Sequence, residues 1–372
     1  MVLKKETKGK LKDMRLSKKD KILLLVSGVF AAASVLLLAL ANYIPGFAQW
    51  YTVHLYDMAV NTMGRIFGLM PFSAVEILLY AAVISLAICI VAVIRRNLSA
   101  MRAAAGLILA ATLLFFMYTA NCGVNYHRTS FAESAGIAAG DYSVNELAEV
   151  CLLLTEDINQ TAELVHRDEQ NVMYHDMEVE NRAAEVMREL SQTWPELEGY
   201  YPRSKGLLNP WILSVQQITG IYSPFTIEAN VNTGMTDYNI PFTACHELSH
   251  LRGFMQEEEA NFIAWLACRE ADDPDFRYSG SLRGWISCMN VLYRADQERW
   301  AEIRVLLSPA VEPDLAANRA YWAKYEGKIA EIAETVNDNY LKANGQSDGV
   351  KSYGRMADLI VAYYINETEH TG

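Results

Sequence analysis

Three long apolar stretches, Ile22 to about Ile44, Ala74 to Ile94 and about Ala103 to Ala120, constrain this chain before anything else does. Hydrocarbon offers no water to a backbone N–H or C=O, so a single segment crosses it only as a helix. Each stretch is near the roughly 20 residues that such a crossing needs. The first is long for a secretory leader and has no obvious small-residue cleavage site before Tyr43-Ile44-Pro45, so we read it as a retained helix.

Charge sets the expected orientation. Residues 1–21 hold nine Lys/Arg against three Asp/Glu, a charge of +6 in a chain whose net charge is −12, which leaves about −18 on residues 22–372. Arg95, Arg96 and Arg102 fill the short connection between the second and third stretches. Basic flanks stay on the cytoplasmic side, and an odd number of crossings then places everything after Asn121 outside the plasma (inner) membrane. The expected organisation is a basic cytoplasmic tail (1–21), a membrane domain (22–121) and an extracytoplasmic domain (122–372). The outer loop from Pro45 to Ser73 is apolar, with Trp50, Tyr51, Tyr56, Phe67 and Phe72. It is expected to lie along the membrane interface, against the outer domain, or simply packed as a loop. The acidic outer part excludes nucleic acid as a partner and argues against adhesion to anionic lipid. The six cysteines show no paired metal-ligand spacing and read as buried thiols.

Within the acidic part, residues 246–250 read His-Glu-Leu-Ser-His. Positions i and i+4 stack on one face of a helix, so His246 and His250 can offer ring nitrogens to one zinc ion, Zn2+. Glu247 sits one residue round, where its carboxylate reaches a zinc-bound water as general base. Such a pattern arises by chance in about 1 of 100 chains of this length, so its context matters. Thr243, with Pro241 before it, reads as a helix start and Gly253 as a stop. The run Glu257-Glu258-Glu259-Ala260-Asn261 follows and supplies a third acidic ligand; Glu257 and Asn261 share a helix face, which would let the amide orient a ligating histidine.

The remainder reads mostly helical. Ser143-Val-Asn-Glu146 is a capping box opening a helix to about Val165, and Val179, Ala183, Val186, Leu190 and Trp194 mark another. Further helices are expected over Asn261 to Glu270, Leu282 to Tyr293 and, capped by Asp314 and Gly345, Leu315 to Tyr340. The Asp272-Asp273-Pro274-Asp275 cluster reads as a solvated turn. Alternation from Phe225 to Asn232 gives the best strand pattern. Tyr222, Tyr278 and Tyr293 are positional candidates for an oxyanion donor. His54, His127, His166, His175 and His370 show no ligand spacing.

The motif region resembles the gluzincin metallopeptidases, in which a glutamate four residues before an Asp or Asn on the next helix is the third ligand. That resemblance selects Glu257, with Glu258 and Glu259 as alternatives, since the gap after the motif is unusually short. The stretch His246 to Gly253 also looks like the start of a metzincin motif, but its third histidine would fall at Gln256, a poor zinc ligand. YSPFTIEANVN, PFTACHELSH and EEEANFIAWLAC, between Tyr222 and Cys268, are similar to an uncharacterised family of bacterial membrane proteins with three N-terminal spans and an extracytoplasmic zincin-like domain. The likeness includes Pro71-Phe-Ser73, Asn125-Tyr-His-Arg128, Arg277-Tyr-Ser-Gly280 and Ser352-Tyr-Gly-Arg-Met356.

The implied fold class is mainly α, a three-helix transmembrane anchor followed by a mostly helical zincin-like domain with a small β-sheet. The resemblance also makes residues 225–232 the edge strand on which an extended peptide lies. The expected activity is that of a membrane-anchored zinc metallopeptidase acting on a peptide or protein in the cell envelope. Two alternatives stand beside it: a non-catalytic, zinc-stabilised envelope protein and a zinc hydrolase of cell-wall amides. An intramembrane protease is excluded, because Arg252, Gln256 and three glutamates follow the motif directly.

Overall fold

The computed structural model describes residues 16–137, 140–346, 349 and 355–371. The basic residues up to Arg15 and the stretch Ser352 to Gly354 lie outside them. The fold is mainly α with one three-stranded sheet.

Three helices are long and apolar enough to cross a bilayer: Lys18–Tyr43, Ala74–Ile94 and Ala100–His127. Ser17 caps the first (α1), its hydroxyl accepting from the Asp20 N–H while the Asp20 carboxylate accepts from the Ser17 N–H. Their sides are left uncovered, with Val83, Ile84 and Ile88 about three-fifths exposed. Outward apolar surface of this kind is what a helix in lipid presents, and the chain is a membrane protein by these helices. The third begins as a regular helix, Ala100–Tyr118, and continues without a break through a π turn, Thr119–Gly123, and a 3-10 turn, Val124–His127.

The segment expected as an apolar loop is instead helical over 47–68, with α and π turns alternating from Phe47–Tyr51 to Arg65–Gly68 (α2). Its aromatic residues explain the change. Tyr56 and Val60 are buried, and Tyr51 Oη donates to the Ala120 carbonyl at 3.1 Å. The segment thus packs between the ends of the first and third apolar helices and the rest of the chain.

The second apolar helix, α3 (Ala74–Ile94), is clamped by the sheet. The Glu228 carboxylate accepts from Ala74 N at 3.1 Å and Val75 N at 3.0 Å, taking up donors that a helix N-terminus leaves unpaired. The same carboxylate pairs with the buried Lys205. Glu76, inside the first turn, accepts from Leu208 N at 2.7 Å and Asn209 N at 2.9 Å.

The sheet runs in the order β1-β3-β2, with β1 (Lys205–Gly206) parallel and β2 (Gly220–Ser223) antiparallel to the central β3 (Glu228–Val231). This corrects the expected edge at 225–232. Strand β3 begins only after a turn in which Ile227 adopts a left-handed φ of 52°, and it is bonded on both sides. The edges are β1 and β2, and β2 is the edge beside the motif helix.

Against the sheet lies the motif helix, α4 (Asn239–Leu251), all of whose residues are buried. It starts at Asn239 rather than near Thr243, because Pro241 falls in its first turn, where an N–H has no helical partner to lose. Helices Glu257–Glu270 (α5) and Pro274–Ala295 (α6) pack on it, and Met356–Thr371 packs on those two in turn, enclosing Trp265, Phe276 and Leu282. The capping box at Ser143 opens Val144–Ala162 as expected. Two expectations change. Helix α6 begins eight residues before Leu282, because Asp273 accepts from Asp275 N and Phe276 N. The long helix from Leu315 is two, Glu312–Ala323 (α7) and Lys328–Ala343 (α8), parted at Gly327 with φ 143°. Asp314 caps neither; it is buried, accepting from Met173 N and pairing with Arg167 and Tyr278.

Candidate metal centre

Helical spacing carries His246 and His250 onto one face of α4, their ring centroids 4.6 Å apart. Gly253 then reverses the chain in a left-handed turn, φ 91°. A side chain there would meet Thr52 Cγ2 at 3.0 Å, so Gly253 serves both the turn and the close approach of α2. The turn brings the Phe254 carbonyl back to His250 Nδ1 at 2.8 Å. That contact makes Nδ1 the protonated nitrogen and leaves Nε2 for a ligand. It also starts α5 at once, so the short gap delivers Glu257 straight to the histidines. Arg128 supports the turn, donating to the Arg252 carbonyl at 3.0 Å and lying 3.8 Å over the Phe254 ring.

Glu257 Oε2 lies 3.4 Å from His246 Nε2, and its Oε1 lies 3.8 Å from His250 Nε2. Ligand atoms of the three residues fall within 4.8 Å of one another. Bond lengths of 2.0–2.2 Å in a tetrahedron require separations of roughly 3.4 Å, so these donors fit one zinc ion. The other two glutamates turn away. Glu258 takes Gln346 Nε2 at 2.6 Å and Arg355 Nη2 at 3.1 Å, and Glu259 accepts from Ala132 N at 3.1 Å. Asn261 faces the same cleft but makes no hydrogen bond to His246, whose Nδ1 is buried and unpartnered among the described residues. The expected orienting role of that amide is therefore not seen; the carbonyl of Phe254 orients the other histidine instead.

Glu247 is buried beside the cluster, and its Oε2 has no hydrogen-bond partner among the described residues. Burial pushes its carboxyl up to about 8, against the lowering by His246. Burial pulls His250 down to about 4. Both nitrogen and carboxylate are thus held in forms suited to a cation ligand and a proton carrier in the metal-free chain.

A cleft of about 1270 Å³ opens over the cluster. Its walls are β2, including Gly220, and helix α8; its floor is α4. The three tyrosines expected to serve an oxyanion are committed elsewhere. Tyr222 Oη lies 2.8 Å from Tyr56 Oη and donates to the Asn121 carbonyl, Tyr278 is bonded to Asp314, and Tyr293 packs edge-on against Trp300. Arg283 of α6 also lines the cleft, stacked 5.2 Å over Phe242, one turn before His246. It makes no hydrogen bond or ion pair among the described residues.

A family model matches residues 51–361, from the first π-helical turns of α2 to the last buried helix. The chain belongs to the DUF3810 family of proteins of unknown function. No curated protein and no solved structure matches it significantly.

Within this DUF3810 chain, sequence reasoning missed Gly220, Arg283 and the end of the third apolar helix as parts of the site. Arg283 left a trace, a charge within the apolar run Leu282 to Tyr293. Gly220 left none, because its role depends on how closely β2 passes α4. Of the other histidines, none among the described residues joins the cluster.

Proposed function

We propose that this chain is a membrane-anchored zinc hydrolase of peptide bonds. The convergence of His246, His250 and Glu257 on one point, with the unpartnered Oε2 of Glu247 beside it, carries the reading. Three donors rather than four favour a catalytic over a purely structural ion, which normally has a closed set of ligands. A bound zinc ion supplies Lewis acidity, making water acidic near neutral pH and polarising a carbonyl.

The chain's own residues account for the rest. Glu247, ionised once a cation sits beside it, would accept a proton from the attacking water and return it to the leaving amine. Arg283 faces the cleft and offers donors to the negative charge that develops on the carbonyl oxygen. The outer side of β2 offers main-chain N–H and C=O groups along the cleft, which suits an extended peptide laid as a further strand. A cell-wall amide would make less use of that edge.

The test is bound metal per chain in the purified full-length protein, for wild type and for His246→Ala with His250→Ala. One zinc and none are the expected values. A folded wild type that binds no zinc overturns the reading.

A further inference from the structure

We infer that the cleft takes polypeptides held in the same membrane, at the stretch just outside their own anchor. This rests on the hydrolase reading for what happens next, but its geometry is separate. The cleft is lined by Tyr118 and Cys122, which belong to the outer end of the third apolar helix. Phe115, three residues before Tyr118, is 42% exposed on the bare side of that helix. At about 1.5 Å per residue, Tyr118 stands roughly 5 Å and Cys122 roughly 10 Å beyond it along the axis. Cys122 Sγ in turn lies 3.7 Å from Met255 Sδ, two residues before Glu257. The candidate metal centre is therefore at the bilayer surface rather than on a distant stalk. The Glu228 and Glu76 clamps on α3 hold it there from a second helix.

The walls match this position. Helix α8 is hung on the end of the third apolar helix, with Tyr340 Oη 3.4 Å from Cys122 Sγ and Tyr118 Oη donating to Asn344 at 2.5 Å. Ile329, Ile332 and Val336 repeat at helical spacing along α8, line the cleft, and are 56%, 64% and 62% exposed. Trp211 and Ile221 face the cleft from the other wall, also exposed. A soluble polar peptide would leave this apolar surface wet. An extended segment continuous with a transmembrane helix or a lipid anchor covers it, and anchoring in the same bilayer raises its effective concentration with no added contact.

The experiment uses the full chain carrying Glu247→Gln, so that capture does not depend on turnover, in vesicles of phosphatidylethanolamine and phosphatidylglycerol. One probe is a synthetic Leu/Ala helix of about 20 residues extended by a short tail bearing benzophenone; the other is the tail alone, added as a soluble peptide. The anchored probe is expected to crosslink to residues of the cleft about tenfold more than the soluble one. Ile332→Asp with Val336→Asp, both at exposed positions, should remove that advantage without changing the melting temperature. A lipid-anchored version of the tail separates the two kinds of anchor. Equal labelling by anchored and soluble probes, labelling indifferent to the double substitution, or crosslinks only between copies of the chain overturns the inference and leaves the hydrolase reading intact. If the wild type, loaded with zinc, captures the anchored probe but never cuts it, the hydrolase reading fails and the docking surface stands.

Discussion

Gly220 leaves to Glu247 the space that its own side chain would fill. A Cβ on Gly220 would lie 2.6 Å from Glu247 Oε1 and 2.7 Å from Thr243 Cγ2. Edge strand β2 passes so close to the motif helix that only a bare backbone fits, and this closeness keeps the carboxylate buried beside the histidines.

Gly220→Ala should therefore push the Glu247 carboxylate out of place while leaving the three proposed ligands alone. A displacement near 1 Å of a reacting group costs on the order of 10²-fold in rate. The expected result is a full complement of zinc with kcat/KM lowered by about that factor. Loss of zinc together with activity would show that Gly220 supports the ligands instead.

The three adjacent glutamates should separate cleanly. Glu257→Ala removes the carboxylate nearest both histidines and should abolish zinc retention. Glu259→Ala leaves the Ala132 N–H without its acceptor and should cost about 1–3 kcal/mol of stability with zinc retained. Glu258→Ala breaks only contacts to Gln346 and Arg355 and should also retain zinc. Metal content and thermal melting of the three variants decide the assignment.

Arg283 presents the opposite balance of stability and function. Burial lowers the pKa of its guanidinium, which no carboxylate accompanies among the described residues. An arrangement of this kind burdens the fold unless a ligand makes use of the charge. Arg283→Met should hold or raise the melting temperature while lowering kcat/KM by about 10²–10³-fold. Arg283→Lys should recover part of the rate. A destabilised Met variant with undiminished activity would reduce Arg283 to a packing residue.

What could be read from the chain follows from how local each feature is. Apolar runs long enough for a bilayer and an i, i+4 histidine pair depend only on neighbours along one helix, and both the helices and the pairing appear as read. The capping box at Ser143 is equally local. Features set by tertiary approach were not legible. The alternation from Phe225 ran through a turn at Ile227, and nothing in it distinguishes a central strand from an edge. The aromatic loop after Pro45 became helix because Tyr56 and Val60 found a surface to bury against, and Asp314, read as a cap, was drawn inward by Arg167 and Tyr278. Glu257, which the resemblance alone had singled out from its two neighbours, owes its position to the turn at Gly253, which fixes which side of α5 faces the histidines.

The clamp between sheet and apolar helix makes a separate prediction. Glu228→Ala strands the buried Lys205 ammonium and uncaps α3, so a loss of about 3–5 kcal/mol is expected. Replacing both partners, Lys205→Met with Glu228→Gln, should recover much of it, because no unpaired charge then remains buried. Urea or thermal unfolding of the detergent-purified protein measures both, and equal losses in the single and double variants would rule out an ion-pair origin.

The pH dependence of the metal-free protein gives the last test, and its sign is opposite to that of most carboxylates. Glu247 titrates at about 8 when folded, raised from 4.5 by burial, so between these values the folded state holds a proton that the unfolded state has released. Stability then falls as pH rises through this window, and the contribution is fully lost above it. The chelated wild type should lose on the order of 3 kcal/mol between pH 5 and 9 from this group. Glu247→Gln, which cannot ionise, should flatten the slope, and zinc should flatten it too by supplying a cation beside the ionised carboxylate. His250, held down to about 4, contributes a rise of the opposite sign below about pH 6.5 in both proteins, so the difference in slope between them is the readout; equal slopes in the chelated wild type and Glu247→Gln would mean that Glu247 is ionised in the fold and already has a partner for its charge.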